Sequence, residues 1–262
     1  MIRSLYTAAT GMLAQQTQID TTSHNIANVN TIGYKKQRAE FADLFYQAME
    51  YSGIATSTTT TSPTGIEVGL GVRPTAISKQ FTQGNFKETG NNLDLSITGS
   101  GFFQIQLPDG SIAYTRNGAF KLDSEGTIVN SDGYKLIPEI TIPEDATAVA
   151  IGTDGTVSVK QAGSTELNQV GLIEIANFIN PAGLHSIGDN NLVNTQASGD
   201  PIVGTPGLNG LGQIRQGFVE MSNVQLVEEM TDLITGQRAY EANSKAITTS
   251  DEMLQTVNGL KR

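Results

Sequence analysis

At both ends of the chain, mostly apolar residues recur at alternating intervals of three and four. Such spacing places one stripe of side chains along a helix, where it can face another helix. The N-terminal stripe consists of Ile2, Leu5, Ala9, Met12, Gln16, Ile19, Ser23 and Ile26. The C-terminal stripe consists of Leu226, Met230, Leu233, Gln237, Tyr240, Ser244, Ile247, Asp251 and Leu254. The pattern predicts two terminal helices that pair antiparallel as a coiled coil.

These two helices have more apolar surface than a single hairpin can cover. A second stripe on the C-terminal helix, Ala239, Ala246, Met253, Val257 and Leu260, lies beside the first. Polar residues such as Gln16 and Gln237 interrupt the main stripes, and a buried polar group without a partner costs about 1–3 kcal/mol. We therefore expect neighbouring copies of the chain to complete the helices. The alternative is that both helices pack on the body of their own chain.

The middle of the chain, from about Val72 to Gly217, has the pattern of short strands and tight turns. Leu93, Leu95 and Ile97 alternate with polar residues, as in a half-buried strand. Hairpin turns are indicated by Asp109-Gly110, Asn117-Gly118, Asp132-Gly133 and Asp154-Gly155, because the preferred turn needs positive φ at both central positions. The expected fold class is α+β, with a β-sandwich or open barrel between the terminal helices.

Composition divides the chain into three parts. Residues 1–30 and 222–262 form the expected helical domain, and residues 74–221 form the β-rich domain. Residues 31–73 connect them and include a stretch rich in Ser, Thr and Gly, which is typical of a linker or an extended arm. The basic run Tyr34-Lys35-Lys36-Gln37-Arg38 lies in this part. It is either a solvated face or an ion-pairing surface for an acidic neighbour.

The charge balance argues against several partners. The formal net charge of −10 disfavours binding to the nucleic-acid backbone and to anionic membranes. No run of about 18 apolar residues is available to span a bilayer, and the first residues lack the apolar core of a secretory signal. We therefore expect no nucleic-acid partner, no membrane insertion and no cleaved signal peptide.

The residue types that catalysis and metal binding most often use are scarce in this chain. The chain has no cysteine and only two histidines. His185, Ser186 and Asp189 lie in a loop flanked by Gly, and a catalytic triad is assembled in space rather than in sequence. The stretch from Gly65 to Gly71 resembles a phosphate-binding loop but lacks the closing Lys-Ser/Thr pair. We predict no enzymatic activity, no cofactor and no metal.

Several segments resemble the motifs of bacterial flagellar rod and hook proteins. The N-terminal segment is Ser23-His24-Asn25-Ile26-Ala27-Asn28-Val29-Asn30-Thr31-Ile32-Gly33-Tyr34-Lys35. The C-terminal segments are Gln216 to Val224 and Gln237 to Lys245, and the internal ones are Gly99 to Phe103 and Tyr114 to Phe120. The resemblance covers essentially the whole chain. The length of the chain and its Ser/Thr-rich segment after Tyr46 are most like those of the distal rod member of the family.

The resemblance implies a structural subunit of the distal rod that transmits motor torque to the hook. Subunits of this family leave the cell through the flagellar type III export apparatus and stack into a hollow helical tube across the periplasm. The helical domain lines the tube and the β-rich domain faces outward. The implied partners are further copies of the chain, proximal rod proteins, the hook protein, and the periplasmic and outer-membrane rings. Contacts that do not close on themselves generate such an open filament.

Two sets of residues are expected to carry this assembly. The predicted subunit interface comprises Leu5, Met12, Ile19, Asn25, Ile26, Asn28, Leu233, Gln237, Arg238, Tyr240, Asn243 and Ile247. The segment from Tyr46 to Gly71 is expected to become an ordered brace between neighbours, represented by Thr58, Thr59, Thr60, Pro63 and Gly65. The alternatives are a proximal rod or hook protein of the same family, or a secreted β-rich binding module.

Overall fold

A computed structural model describes residues 2–53, 63–161 and 167–259. The chain divides into two compact units, each drawn from segments that are distant in sequence. Unit 1 contains residues 1–27, 37–78 and 225–262, and unit 2 contains residues 28–36 and 79–224. The chain therefore passes between the units after residues 27, 36, 78 and 224.

Unit 1 has a helix near each end of the chain and short strands between them. Its elements are α1 (Ile2–Ala27), β1 (Gln37–Asp43), β2 (Tyr46–Glu50), β3 (Ile66–Gly69), β4 (Val72–Lys79) and α2 (Leu226–Gly259), with the last residue of β4 in unit 2. β1 pairs with β4, and β2 pairs antiparallel with β3.

The two helices run antiparallel, and their contacts show it directly. Asn25 near the end of α1 donates to Glu229 near the start of α2 at 3.0 Å. At the other end of the pair, the Ser4 and Ser250 hydroxyl groups are 3.4 Å apart. The expected antiparallel pairing of the terminal helices is confirmed.

Unit 2 consists mainly of short antiparallel strands, with one turn of 3-10 helix at Pro181–Gly183. The strands are β5 (Phe86–Glu88), β6 (Leu95–Thr98), β7 (Phe102–Gln106), β8 (Ile112–Thr115), β9 (Lys121–Leu122), β10 (Ile128–Val129), β11 (Lys135–Ile137), β12 (Ala146–Ile151), β13 (Thr156–Gln161), β14 (Leu167–Leu172), β15 (Ile175–Asn177), β16 (His185–Gly188), β17 (Asn191–Val193), β18 (Ile202–Gly204), β19 (Gln213–Gln216) and β20 (Phe218–Glu220).

The main sheet has the order β16-β17-β8-β7-β11-β10-β9, with β15 joining β7 to β18. A smaller sheet has the order β12-β13-β14, and the pairs β19-β6 and β20-β5 complete the described strands of unit 2.

The largest cluster of buried side chains includes Leu95, Ile97, Phe103, Phe120, Leu136, Val157 and Ile173. None of the sheets in the described part of the chain closes into a barrel. The expected α+β class with a β-rich middle is confirmed.

Most of the predicted hairpin turns form. Gly110, Gly133 and Gly155 have positive φ and lie between β7 and β8, β10 and β11, and β12 and β13. The hairpin expected at Asn117-Gly118 is wrong, because the flanking strands β8 and β9 pair with other strands and not with each other, and Gly118 does not have positive φ. No helix in the described ranges is both long enough and apolar enough to cross a membrane.

The close approach of α1 and α2 gives a testable prediction. A Cβ atom added to Gly11 would lie 2.8 Å from Asn243 Nδ2. Gly11→Val should therefore lower the free energy of unfolding of the helix pair by about 1–3 kcal/mol through overpacking. Urea denaturation of the dilute protein, followed by circular dichroism, measures this change.

Gly259→Val is the control, because no atom lies within 4 Å of a Cβ added at that helical position. Equal urea midpoints for the two variants would show that the helices do not need a small residue at Gly11.

Candidate functional site

The intrachain face between α1 and α2 is lined by small and polar side chains. Gly236 packs against Ile19, whose Cγ1 atom would lie 3.2 Å from an added Cβ atom, and Gly11 packs against Asn243. Together with the Asn25–Glu229 and Ser4–Ser250 pairs, these contacts lie mainly one residue before the predicted apolar stripes. One residue corresponds to a rotation of about 100° around the helix axis. Large apolar side chains are therefore left outside the pair.

Exposed apolar side chains form stripes on both helices. On α1, Tyr6 and Leu13 are seven residues apart and have exposed fractions of 69% and 63%. On α2, Val227, Met230 and Ile234 follow helical spacing, and Val227 is 79% exposed. Several large apolar side chains exposed on one face of a helix point to an interaction site. We call these residues the exposed helix stripes.

The structure places the predicted interface residues in three environments. Asn25 is buried within unit 1. Eight are half-buried, namely Leu5, Met12, Ile19, Ile26, Asn28, Leu233, Asn243 and Ile247. Three are exposed, namely Gln237, Arg238 and Tyr240. The Asn25 side chain makes hydrogen bonds within its own unit, because Nδ2 donates to Gln37 O at 2.8 Å and Oδ1 accepts from Gln37 N at 2.9 Å. A subunit-interface role for these residues stays a prediction.

Of the predicted brace residues, Pro63 and Gly65 are described, whereas Thr58, Thr59 and Thr60 lie outside the described residues. Next to them, the β2–β3 hairpin carries several exposed large side chains. These are Phe45, Tyr46, Met49, Tyr51 and Ile66. The hairpin thus presents a second apolar surface in unit 1.

Within unit 2, a buried ion cluster joins segments that lie close to the points where the chain passes to or from unit 1, near residues 36, 78 and 224. Glu220 is fully buried, and its Oε1 atom lies 2.6 Å from Lys35 Nζ and accepts from Gly84 N at 2.9 Å. Its Oε2 atom lies 3.3 Å from Arg116 Nη1, and its backbone carbonyl accepts from Gly33 N at 2.8 Å. One carboxylate therefore ties together residues from four separate parts of the chain.

Arg116 is held on its other sides as well. Its Nη2 atom donates to Gly99 O at 2.7 Å, and its guanidinium carbon lies 5.3 Å from the centre of the Phe102 ring. Such an arrangement combines charge-assisted hydrogen bonding with a cation–π contact. The cluster thus brings together four of the motifs noted in the sequence, namely those within residues 23–35, 99–103, 114–120 and 216–224.

Asn223 makes a second link between the same segments. Its Oδ1 atom accepts from Lys36 N at 2.7 Å, and its Nδ2 atom donates to Gln80 O at 2.9 Å and to Thr82 Oγ1 at 2.8 Å. Lys35 Nζ also donates to Thr82 O at 2.8 Å. In unit 2, the segments before residue 37, after residue 78 and before residue 225 are therefore bonded to one another.

Burial dominates the electrostatics of the cluster. It lowers the pKa of Lys35, while the Glu220 carboxylate acts in the opposite direction. Burial likewise lowers the pKa of the Arg116 guanidinium against the effect of Glu220. The interpretation of the basic run as a solvated face is wrong for Lys35, which pairs with an acid of its own chain.

His185 and Ser186, which the sequence placed in a loop with Asp189, lie on strand β16. His185 is exposed on β16, and Ser186 Oγ lies 2.5 Å from Lys79 Nζ. Across the described ranges, no group of three His, Cys, Asp or Glu side chains is placed to hold a metal ion.

Three family models match the chain. Residues 5–35 match "Flagella basal body rod protein", residues 96–159 match "Flagellar hook protein FlgE/F/G D1 domain", and residues 215–260 match "Flagellar basal body rod FlgEFG protein C-terminal". The matches include both terminal helices and the core of unit 2.

Similar proteins carry the name flagellar basal-body rod protein FlgG. The one from Buchnera aphidicola subsp. Schizaphis graminum is 50% identical over 99% of this chain and 100% of its own length. The one from Borreliella burgdorferi is 50% identical over 100% of both chains. The one from Bacillus subtilis is 42% identical, also over 100% of both chains.

The ion cluster gives a testable prediction. Glu220→Gln leaves two buried cations without their counter-charge, so the free energy of unfolding should fall by about 3–5 kcal/mol. Urea denaturation of the full chain measures the loss. Glu88→Gln is the control, because Glu88 is exposed on β5, the strand paired with β20. A stability of Glu220→Gln equal to that of the control would contradict a structural role for the cluster.

Proposed function

Because this chain belongs to the FlgG family of flagellar basal-body rod proteins, we propose that it assembles with its own copies into the distal part of the rod. It is a structural protein and not an enzyme. The assembly is a hollow helical shaft that crosses the periplasm and passes motor torque to the hook. Its neighbours are proximal rod proteins, the hook protein, the surrounding ring proteins and, during export, the flagellar export apparatus.

The observation that carries the proposal is that the two helices contact each other through one face and leave large apolar side chains exposed on another. The small and polar face of each helix is used within the chain, whereas Tyr6, Leu13, Val227, Met230 and Ile234 remain exposed. Burying one such side chain contributes about 1.5–3 kcal/mol. Copies of the same chain supply matching stripes, and a heterologous contact repeated between copies extends into an open filament.

We assign assembly to the helical domain, residues 1–30 and 222–262, and bracing to residues 31–73. Residues 74–221 form the β-rich domain that contacts the surrounding rings. Half-buried Leu5 and Met12 precede the exposed Tyr6 and Leu13 directly in α1, and a neighbouring helix would complete their burial.

Assembly should depend on the exposed helix stripes. Ile234→Asp places a charge on the apolar stripe of α2 and should raise the concentration required for tube formation about tenfold or more. Sedimentation and electron microscopy of the purified protein measure this concentration.

Thr235→Asp is the matched control, because it adds the same charge at an exposed polar position of the same helix, about 100° around the axis from Ile234. Circular dichroism of both dilute variants verifies that α2 is retained. Tubes that form equally well from both variants would rule out the stripe as an interface.

The brace can be tested by removing the β2–β3 hairpin. Tyr46 and Gly69 are register partners, so their Cα atoms are about 5 Å apart and deletion of residues 47–68 leaves ends that can be rejoined. The shortened protein should still polymerise but give a bent or polymorphic shaft, because it lacks the contacts between neighbours that stiffen it. Electron microscopy compares the curvature with that of the full chain. A straight, unchanged shaft would contradict the brace.

A further inference from the structure

A small basic cavity, partly open to solvent, lies in unit 2 next to the ion cluster. Its volume is about 10 Å³, and its lining includes Lys35, Lys79 and Arg116 together with the apolar side chains of Phe81 and Leu192. This is the space open to the centre of a bound species, and it is enough for one water molecule or one small ion. Lys35 and Arg116 are buried, so their charges interact more strongly than charges in bulk water do.

Positive charge exceeds negative charge around this cavity. Lys35 and Arg116 share the single carboxylate of Glu220. Lys79 Nζ contacts the neutral hydroxyl of Ser186 at 2.5 Å, and no carboxylate among the described residues forms an ion pair with it. Three cationic side chains are thus balanced by one anion of the protein.

Arg116, which lines the cavity, also has a donor without an acceptor. Its Nε atom is buried and has no hydrogen-bond partner in the part of the chain that the structure describes, although both terminal nitrogens of the same guanidinium are bonded. A buried donor left unsatisfied costs about 1–3 kcal/mol. Burial also lowers the pKa of Lys79, in the direction expected for a cation without a counter-charge.

We propose that this cavity binds a single monatomic anion of the size of chloride, held by Lys79 and Arg116. The anion supplies the missing negative charge. It stabilises unit 2 at the point where the segments next to the chain crossings meet. This role is independent of whether copies of the chain assemble.

The test uses the dilute full chain and measures its melting temperature while sodium gluconate is replaced by sodium chloride at constant ionic strength. An anion that binds only the folded state raises the melting temperature, and we expect a rise of about 3 °C. Lys79→Gln should abolish the rise. Lys121→Gln, which removes an exposed lysine of unit 2, should retain it.

A melting temperature that does not respond to chloride would overturn the proposal, and so would an equal response in Lys79→Gln. A direct measurement covers the case in which Lys79→Gln does not fold. The chlorine NMR line of a chloride solution should broaden on addition of the unaltered chain and narrow again when bromide competes. Absence of this broadening would show that the cavity holds only water.

Discussion

The structure depends on how closely two long helices can approach each other. α1 and α2 meet where Gly11 and Gly236 remove side-chain bulk, and Ser4 and Asn25 supply hydrogen bonds across the same face. A face of this kind joins the helices with little apolar burial. Most of the large apolar side chains therefore remain available to other molecules. This arrangement suits a subunit whose helices are completed only in an assembly. A monomer that buried these side chains internally would gain less free energy from polymerisation.

The second constraint is the fully buried carboxylate of Glu220. Its partners Lys35 and Arg116 come from segments 185 and 104 residues away. A rod subunit has to carry load through each segment that connects its units. Bonding those segments together within unit 2 spreads the load over several strands rather than leaving it on one. The position of the family motifs in the cluster gives them a physical role, because one contains Glu220, two supply its partners Lys35 and Arg116, and the fourth supplies Gly99 O, which accepts from Arg116.

Much of the architecture was predictable from the chain. The heptad spacing predicted both terminal helices, and the Asp-Gly pairs predicted three hairpins, because these signals are local. The motifs identified the flagellar rod family, and the comparisons confirm it. The contacting helix faces were not predicted, since Gly, Ser and Asn do not register in an apolar pattern. The Lys35–Glu220–Arg116 cluster was also missed. Lys35 lies in an ordinary basic run, and its partner becomes its neighbour only after the β-rich unit has folded.

The central claim is that both terminal helices obtain the rest of their burial from other copies of the chain. Hydrogen–deuterium exchange, measured by mass spectrometry on the dilute monomer and on the assembled protein, tests it most directly. The account predicts rapid exchange in much of α1 and α2 in the monomer and strong additional protection in the assembly, with little change in the core strands of unit 2. Helices that are already as protected in the dilute monomer as those core strands, with no gain at high concentration, would contradict it.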